Sequence, residues 1–334
     1  MLRNKEVQSL VSISYHDTVK ILQGTIASAG TPFARREWLE MLAEADSKPL
    51  IAFAKSDSGS AILPLSYRNN RLESLTNWYN FTWHPQLEGD RIALNALAND
   101  LKSKSHRVTL WPIADESGEA SMLEDAFVKA GWRVTREQCD QNHVLPVNGR
   151  SFSEYWAGRP GKMRTTLKRK AKKVEIEILT QFDLTAWSDY EAVYQASWKP
   201  EEGDPVLLRR FAEQEGKAGR LRLAIAKHED RAVAAQFWTV EDGVAYIHKL
   251  AHLEESKSLS AGTSLSAALF ERVIDTDKVD LVDFGTGNDA YKADWMEQVR
   301  PRFRIDCLDP KQAKAWPALA KRVVRRLAPS ARQS

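Results

Sequence analysis

The sequence predicts an α+β protein made of two similar halves, each a mixed, mostly antiparallel sheet flanked by helices. Three observations predict it. First, the chain repeats itself at an offset of 172 residues: Leu50–Lys55 falls on Arg222–Lys227, and both are apolar runs ending in Lys. Second, two more strand-like runs follow in each half. Ser60–Tyr67 falls on Ala232–Thr239, and Leu72–Asn77 falls on Ala245–Leu250 with one residue of slack. Third, the register holds over roughly 80 residues, which favours duplication over coincidence.

The elements follow in order. Short polar turns at Ser56–Gly59 and Lys227–Arg231 fold the first two runs of each half into antiparallel meanders. Ile92, Leu94, Leu97 and Leu101 then fall on Ser264, Ser266, Leu269 and Val273, a helix in each half. Val108–Pro112 falls on Asp280–Phe284, a strand in each half, and Gly131–Arg136 falls on Phe303–Cys307 after one more helix. Two helices open each half. Pro146 and Gly149 punctuate the chain, so the expected domains are 1–147 and 148–334.

Composition narrows the classes. The 334 residues are 43% hydrophobic and 28% charged, an ordinary globular balance with enough apolar residues for two cores. The uncharged stretches Ile21–Ala34 and Ser74–Leu87 are too short to cross a bilayer. Met1-Leu2-Arg3-Asn4-Lys5-Glu6 leads into no apolar core of a secretory signal, so a cytoplasmic protein is expected. Cys139 and Cys307 lie far apart without metal-ligand spacing, so neither a disulfide framework nor a metal is expected. The net charge of +3 is small but unevenly spread.

Between Arg159 and Lys173 stand eight basic residues, Lys168 and Arg169 among them, and no acid. Met163, Leu167, Ala171 and Val174 give this segment a narrow apolar stripe, so it reads as a helix with a broad basic face seeking an anion. A C-terminal helix is expected to bury Trp316, Leu319, Ala320, Val323, Val324 and Leu327, with Lys321, Arg322, Arg325 and Arg326 opposite.

Chemistry concentrates in the second half. The strand Ala245–Leu250 runs through Lys257 into Ser258-Leu259-Ser260-Ala261-Gly262-Thr263-Ser264 and then a helix. A helix start has unpartnered N–H groups and a positive dipole end, and Gly262 permits close approach, so this is a candidate anion site. Ser260 or Thr263 could equally be a plain helix cap. The next strand ends in Asp283-Phe284-Gly285-Thr286-Gly287-Asn288-Asp289, followed by Tyr291, Lys292 and Trp295. That places carboxylate, hydroxyl and amide groups where open sheets collect ligands. Asp283 on an apolar strand is costly to bury alone. Gln236, His248 and Lys249 are polar groups in apolar strands; Gln236 shares a face with Trp238, and alternation sends His248 and Lys249 to opposite faces. In the first half, Trp78, Tyr79 and Trp83 interleave with amides and hydroxyls and could stack on an acceptor.

The order strand, Ser-x-Gly-Thr turn, helix, then Asp-Phe-Gly-x-Gly-x-x-x-Tyr-Lys-x-x-Trp resembles the GNAT-type acyltransferases. More narrowly it resembles the branch of cellulose-biosynthesis CelD-like proteins and Fem-type aminoacyl transferases, which are tandem GNAT-like domains. The resemblance covers most of residues 150–310. It implies transfer of an acyl group from acetyl-CoA or a longer acyl-CoA to an amine or hydroxyl acceptor, a small molecule or a saccharide, by direct attack. Lys257, Ser260, Gly262, Thr263, Ser264 and Asn288 would hold the cofactor, although the chain has one Gly where the family's loop has two. Backbone N–H groups of a splayed strand near Leu250–His252 would hold the thioester carbonyl. Asp283 or His248 would be the base and Tyr291 the acid. Gln236, Trp238, Lys249, Asp289, Lys292, Trp295, Lys168 and Arg169 would meet the substrates. Glu88 and Asp90 would repel a phosphate at the matching turn of the first half, making it an acceptor platform. Two alternatives use the basic helix 159–173: Fem-like aminoacyl transfer from charged tRNA, or non-catalytic binding of a polyanion, RNA or an anionic membrane, which would place the protein at the periphery of the inner membrane.

Overall fold

The computed structural model describes residues 10–22, 30–45 and 48–327, with side chains to residue 324. The N-terminal segment read for a targeting signal, part of Ile21–Ala34, and the side chains of Arg325, Arg326 and Leu327 lie outside these. In chain order the elements are β1 (Ser12–His16), α1 (Arg36–Ala45), β2 (Pro49–Lys55), β3 (Gly59–Arg68), β4 (Arg71–Ser74), β5 (Gln86–Gly89), α2 (Ile92–Asp100), β6 (Arg107–Ile113), α3 (Glu119–Lys129) and β7 (Arg133–Pro146). There follow α4 (Phe152–Ala157), α5 (Gly161–Lys170), β8 (Glu175–Leu179), α6 (Leu184–Gln195), α7 (Pro205–Lys217), β9 (Leu221–His228), β10 (Arg231–Glu241) and β11 (Val244–His252). The chain ends with α8 (Ala261–Glu271), β12 (Leu281–Thr286), α9 (Lys292–Trp295), β13 (Gln298–Leu308) and α10 (Trp316–Leu327).

Two compact units form, one from residues 1–140 with 301–334, the other from 141–300. In the first the strand order is β1-β2-β3-β4-β6-β13, with β5 beside β3. In the second it is β7-β12-β11-β10-β9-β8. Both are antiparallel except for the β4–β6 and β11–β12 pairs. The repeat thus appears as matching strands at the expected offset. Its last members trade places: β13 pairs with β6, as in Cys307↔Val108, and the end of β7 pairs with β12, as in Val282↔Leu145.

Local sequence explains the hairpins. Asn69-Asn70, Glu229-Asp230 and Asp242-Gly243 have positive φ throughout, the two-residue geometry whose twist matches the flanking strands. Each sheet then buries apolar faces under helices. In the first unit, Leu94 and Leu97 of α2 and Leu123 and Phe127 of α3 join Leu63, Leu65 and Leu110 in one core. In the second, Trp187 of α6 and Phe211 of α7 meet Phe237 of β10, while Phe270 of α8 meets Trp238 of β10, Tyr155 of α4 and Trp295.

Arg222 at the start of β9 donates to both carboxylate oxygens of Asp277, at 2.8 and 2.9 Å, and both side chains are buried. Asp277→Ala leaves a buried guanidinium without its counter-charge. Chemical denaturation should show a loss of about 3–5 kcal/mol; a loss no larger than that of an exposed pair would show that water screens the site.

The C-terminal helix docks with its other face. Arg322 reaches inward, donating to the Asp306 carboxylate at 2.7 Å and to the carbonyl of Arg133 at 2.8 Å. Arg107 bonds the same carboxylate at 2.8 and 2.9 Å. Burial alone would raise the Asp306 pKa, but the two guanidinium groups hold it below the usual carboxylate value. Trp316, Ala320, Val323 and Val324, expected inside, therefore face outward. Turned the other way, the helix would lose the Arg322 bonds to the Asp306 carboxylate and to the Arg133 carbonyl, which together outweigh the exposure of a few methyl groups. No helix among the described residues is long and apolar enough to cross a membrane.

Candidate functional site

The second unit carries the site. The β11–β12 ladder is confined to Val244↔Leu281, Ala245↔Val282 and Tyr246↔Asp283, and the two strands run on without pairing. Such a splay turns the edge of β11 near Leu250 and His252 toward a gap rather than toward β12. Into it opens a cavity of about 350 Å³. Leu250 and His252 of β11 line one wall, Ser260, Gly262 and Thr263 the start of α8, and Phe284, Tyr291 and Trp295 the β12 side.

The α8 start is open. Ser260 turns into the left-handed region at φ 53°, and no side chain caps the helix. Lys170, at the end of α5, holds this turn by donating to the Ser258 carbonyl at 2.6 Å and to Ser260 Oγ at 3.4 Å. Gly262 faces the cavity, and a Cβ there would lie 3.4 Å from His252 Nδ1. Lys257 lines the cavity too, paired with Glu254. The equivalent start in the first unit is closed. Asp90 Oδ1 accepts the first N–H of α2, from Ile92, at 2.9 Å, so a carboxylate of the protein already occupies that anion position.

The predicted residues separate into two groups. Lys257, Ser260, Gly262, Thr263, Gln236, Tyr291 and Trp295 line the cavity. Gln236 is fixed by Ser266 Oγ at 2.7 Å and by the Trp238 indole at 2.9 Å, and Trp238 itself lies in the core. Ser264 points inward and is buried. Asn288 accepts from Gln141 at 2.8 Å on the exposed turn, beside exposed Asp289. Lys292 is buried, donating to the Thr286 carbonyl over the Phe284 ring.

Asp283 is not the isolated buried charge its strand suggests. It accepts from Asn142 Nδ2 at 3.0 and 3.3 Å and from the Gly285 N–H at 2.8 Å, which locks the end of β12. Nor do His248 and Lys249 take opposite faces. The β10–β11 register shifts between Phe237 and Trp238, making His248 the extra residue of a bulge. His248 stacks on Phe237 and bonds Thr239 Oγ1 at 2.8 Å. Lys249 lies over the Tyr194 ring and donates to Glu202 at 2.9 Å. In the first unit Trp83 is a core residue whose indole donates to the Pro64 carbonyl, Tyr79 is buried, and Trp78 is 64% exposed.

His252 is the residue that sequence reasoning overlooked. It lines the cavity with its ring 4.2 Å from the Trp198 ring. Burial, with a smaller push from Lys257 and Lys199, lowers its pKa below the usual 6.5, so the neutral ring prevails at pH 7. Tyr291 keeps its proton, because burial and the Asp289 carboxylate both raise its pKa. A second cavity of about 660 Å³ lies under the loop after α6, between Trp187, Tyr190 and Tyr194 and the carboxylates Glu191, Glu201 and Glu202. Burial and Glu202 push the Tyr194 phenol up to about 12. Among the described residues no three metal-binding side chains converge.

Residues 161–293 match the acetyltransferase (GNAT) domain family. The chain shares its fold with FemX (9% identity, 89% of this chain and 98% of that chain, TM-score 0.61). It is similar to L-PGS from Bacillus licheniformis (13% identity, 90% and 98%, TM-score 0.55). It is also similar to a tandem GNAT protein from the clavulanic acid biosynthesis pathway (14% identity, 91% and 100%, TM-score 0.51). No curated protein matches the sequence. The fold is thus of tandem GNAT type, and the comparisons do not extend to the CelD-like branch.

Proposed function

We propose that the second unit transfers an acyl group from an anionic carrier, acyl-CoA in the first instance, to an amine or hydroxyl acceptor. The observation that carries this reading is the uncapped start of α8 at the mouth of the cavity, beside the splay of β11 and β12. Gly262 and Thr263 hold the carrier's phosphates through backbone N–H groups and Ser260 through its hydroxyl, its own N–H being bonded to the Lys257 carbonyl. The splayed edge of β11 bonds the carbonyl oxygen, where negative charge develops. His252, neutral at pH 7, takes the proton of the attacking nucleophile, and Tyr291 donates to the leaving sulfur. Asp283 positions β12 through Asn142 and Gly285. The aromatic walls of the larger cavity, where Glu191 and Glu201 outnumber Lys199, suit an acceptor bearing a positively charged amine. The first half supplies no second donor site, since Asp90 already caps α2. Incubation with acetyl-CoA and longer acyl-CoAs and an acceptor pool should release free thiol. No release with any acyl chain would remove the acyl-CoA reading.

A second reading, aminoacyl transfer from charged tRNA, is favoured by the face of α5. Lys162, Arg164, Lys168, Arg169, Lys172 and Lys173 are exposed on α5 and the turn after it, with no acid in the segment. Lys170 ties the same helix to the α8 turn. Changing Lys168, Arg169, Lys172 and Lys173 together to Gln should leave the melting temperature unchanged or slightly higher. It should raise the Michaelis constant of the polyanionic substrate by about tenfold at low salt and less at high salt. A defect confined to charged tRNA selects the second reading, and one confined to acyl-CoA selects the first. Unfolding without a binding defect would make the face structural.

A further inference from the structure

We propose that the outward face of α10 docks onto an anionic lipid bilayer. This does not rest on the acyl-transfer reading, because α10 belongs to the first unit. The inward face is settled by Arg322 on Asp306, with Ala315 buried and Leu319 half-buried alongside. The face turned to solvent is apolar: Trp316 is 59% exposed, Val323 56% and Val324 66%, with exposed Pro317 and Ala320 between them. A helix that turns Arg322 to the protein and presents an apolar stripe to solvent needs an apolar partner.

Charge identifies that partner. From Lys311 to Leu327 there are six basic residues and no acid. Lys311, Lys314 and Lys321 are exposed beside the stripe. A second copy of this chain would bring the same cations against them. A nucleic acid would engage the lysines but leave the valines in water. An anionic bilayer takes both: apolar side chains enter the acyl boundary while the lysines stay among anionic headgroups. Trp316, at the start of the stripe with its indole donating to the Pro310 carbonyl at 3.1 Å, has the amphipathic character of interfacial residues.

The test is co-sedimentation of the full chain with phosphatidylcholine vesicles, with and without phosphatidylglycerol. Binding should require phosphatidylglycerol and weaken with salt. A Val323→Ser, Val324→Ser double variant should bind at least about tenfold more weakly with an unchanged melting temperature, since both side chains are exposed. The lipid-induced blue shift of tryptophan emission should disappear in Trp316→Phe. The proposal is overturned if wild type ignores phosphatidylglycerol vesicles, or if the double variant binds like wild type, which leaves charge alone. It is also overturned if the double variant turns a dimer into a monomer, which makes a second copy the occupant.

Discussion

Gly262→Asp should raise the Michaelis constant for acyl-CoA by about 100-fold, roughly 2.8 kcal/mol of lost binding. The new carboxylate would stand at the open start of α8, where the first N–H groups await an anion. The protein should remain folded. Gly262 has no positive φ, its Cβ would lie an acceptable 3.4 Å from His252, and an acid in the first helical turn is favourable. The melting temperature should therefore hold or rise as activity falls. The control in the first half cannot be Gly89, whose Cβ would come 1.9 Å from the Ser58 carbonyl. Asp90→Asn serves instead. It keeps an oxygen acceptor for the Ile92 N–H and removes only the negative charge at the helix start, at a cost of up to about 1 kcal/mol, and should leave the Michaelis constant untouched. Equal kinetic losses in both variants would place the carrier elsewhere.

His252→Gln should lower kcat by about two to four orders of magnitude, the range for losing a general base. Gln keeps the size and a hydrogen bond but takes up no proton at these pH values. Because burial lowers the His252 pKa, the active neutral ring persists to mildly acidic pH. Wild-type kcat/KM should accordingly stay level at neutral pH and fall only below the ordinary histidine range. That limb should be missing from His252→Gln. A variant that retains both the rate and the acid limb would return the role of base to another group. Asp283→Asn distinguishes the two assignments. It sets an amide against the Asn142 amide and should lower stability by about 1–3 kcal/mol, which places its effect on folding first.

Much of the fold could be read because the strands announce themselves by local pattern. The meanders, their turns and the two later helices and strands fall where the offset of 172 puts them. The exchange of β7 and β13 could not be read, because a repeat position defines local structure and not the pairing partner. The α8 turn was legible for the same local reason. Asp283 was not, since its partner Asn142 lies 141 residues away. The faces of His248 and Lys249 were hidden by a bulge, which alternation cannot foresee. His252 carried a signal that went unused: a histidine at the end of a strand, ten positions before Gly262, is carried to the helix start by any tight strand-to-helix connection. The orientation of α10 depended on Asp306 and the Arg133 carbonyl, acceptors outside that helix that draw Arg322 inward.

The central claim is that one open helix start, that of α8, holds the anionic carrier. Calorimetric titration of coenzyme A into the full chain tests it most directly. The account predicts a single site per chain, retained in Asp90→Asn and lost in Gly262→Asp. Two sites per chain, or a site that survives Gly262→Asp, would contradict it.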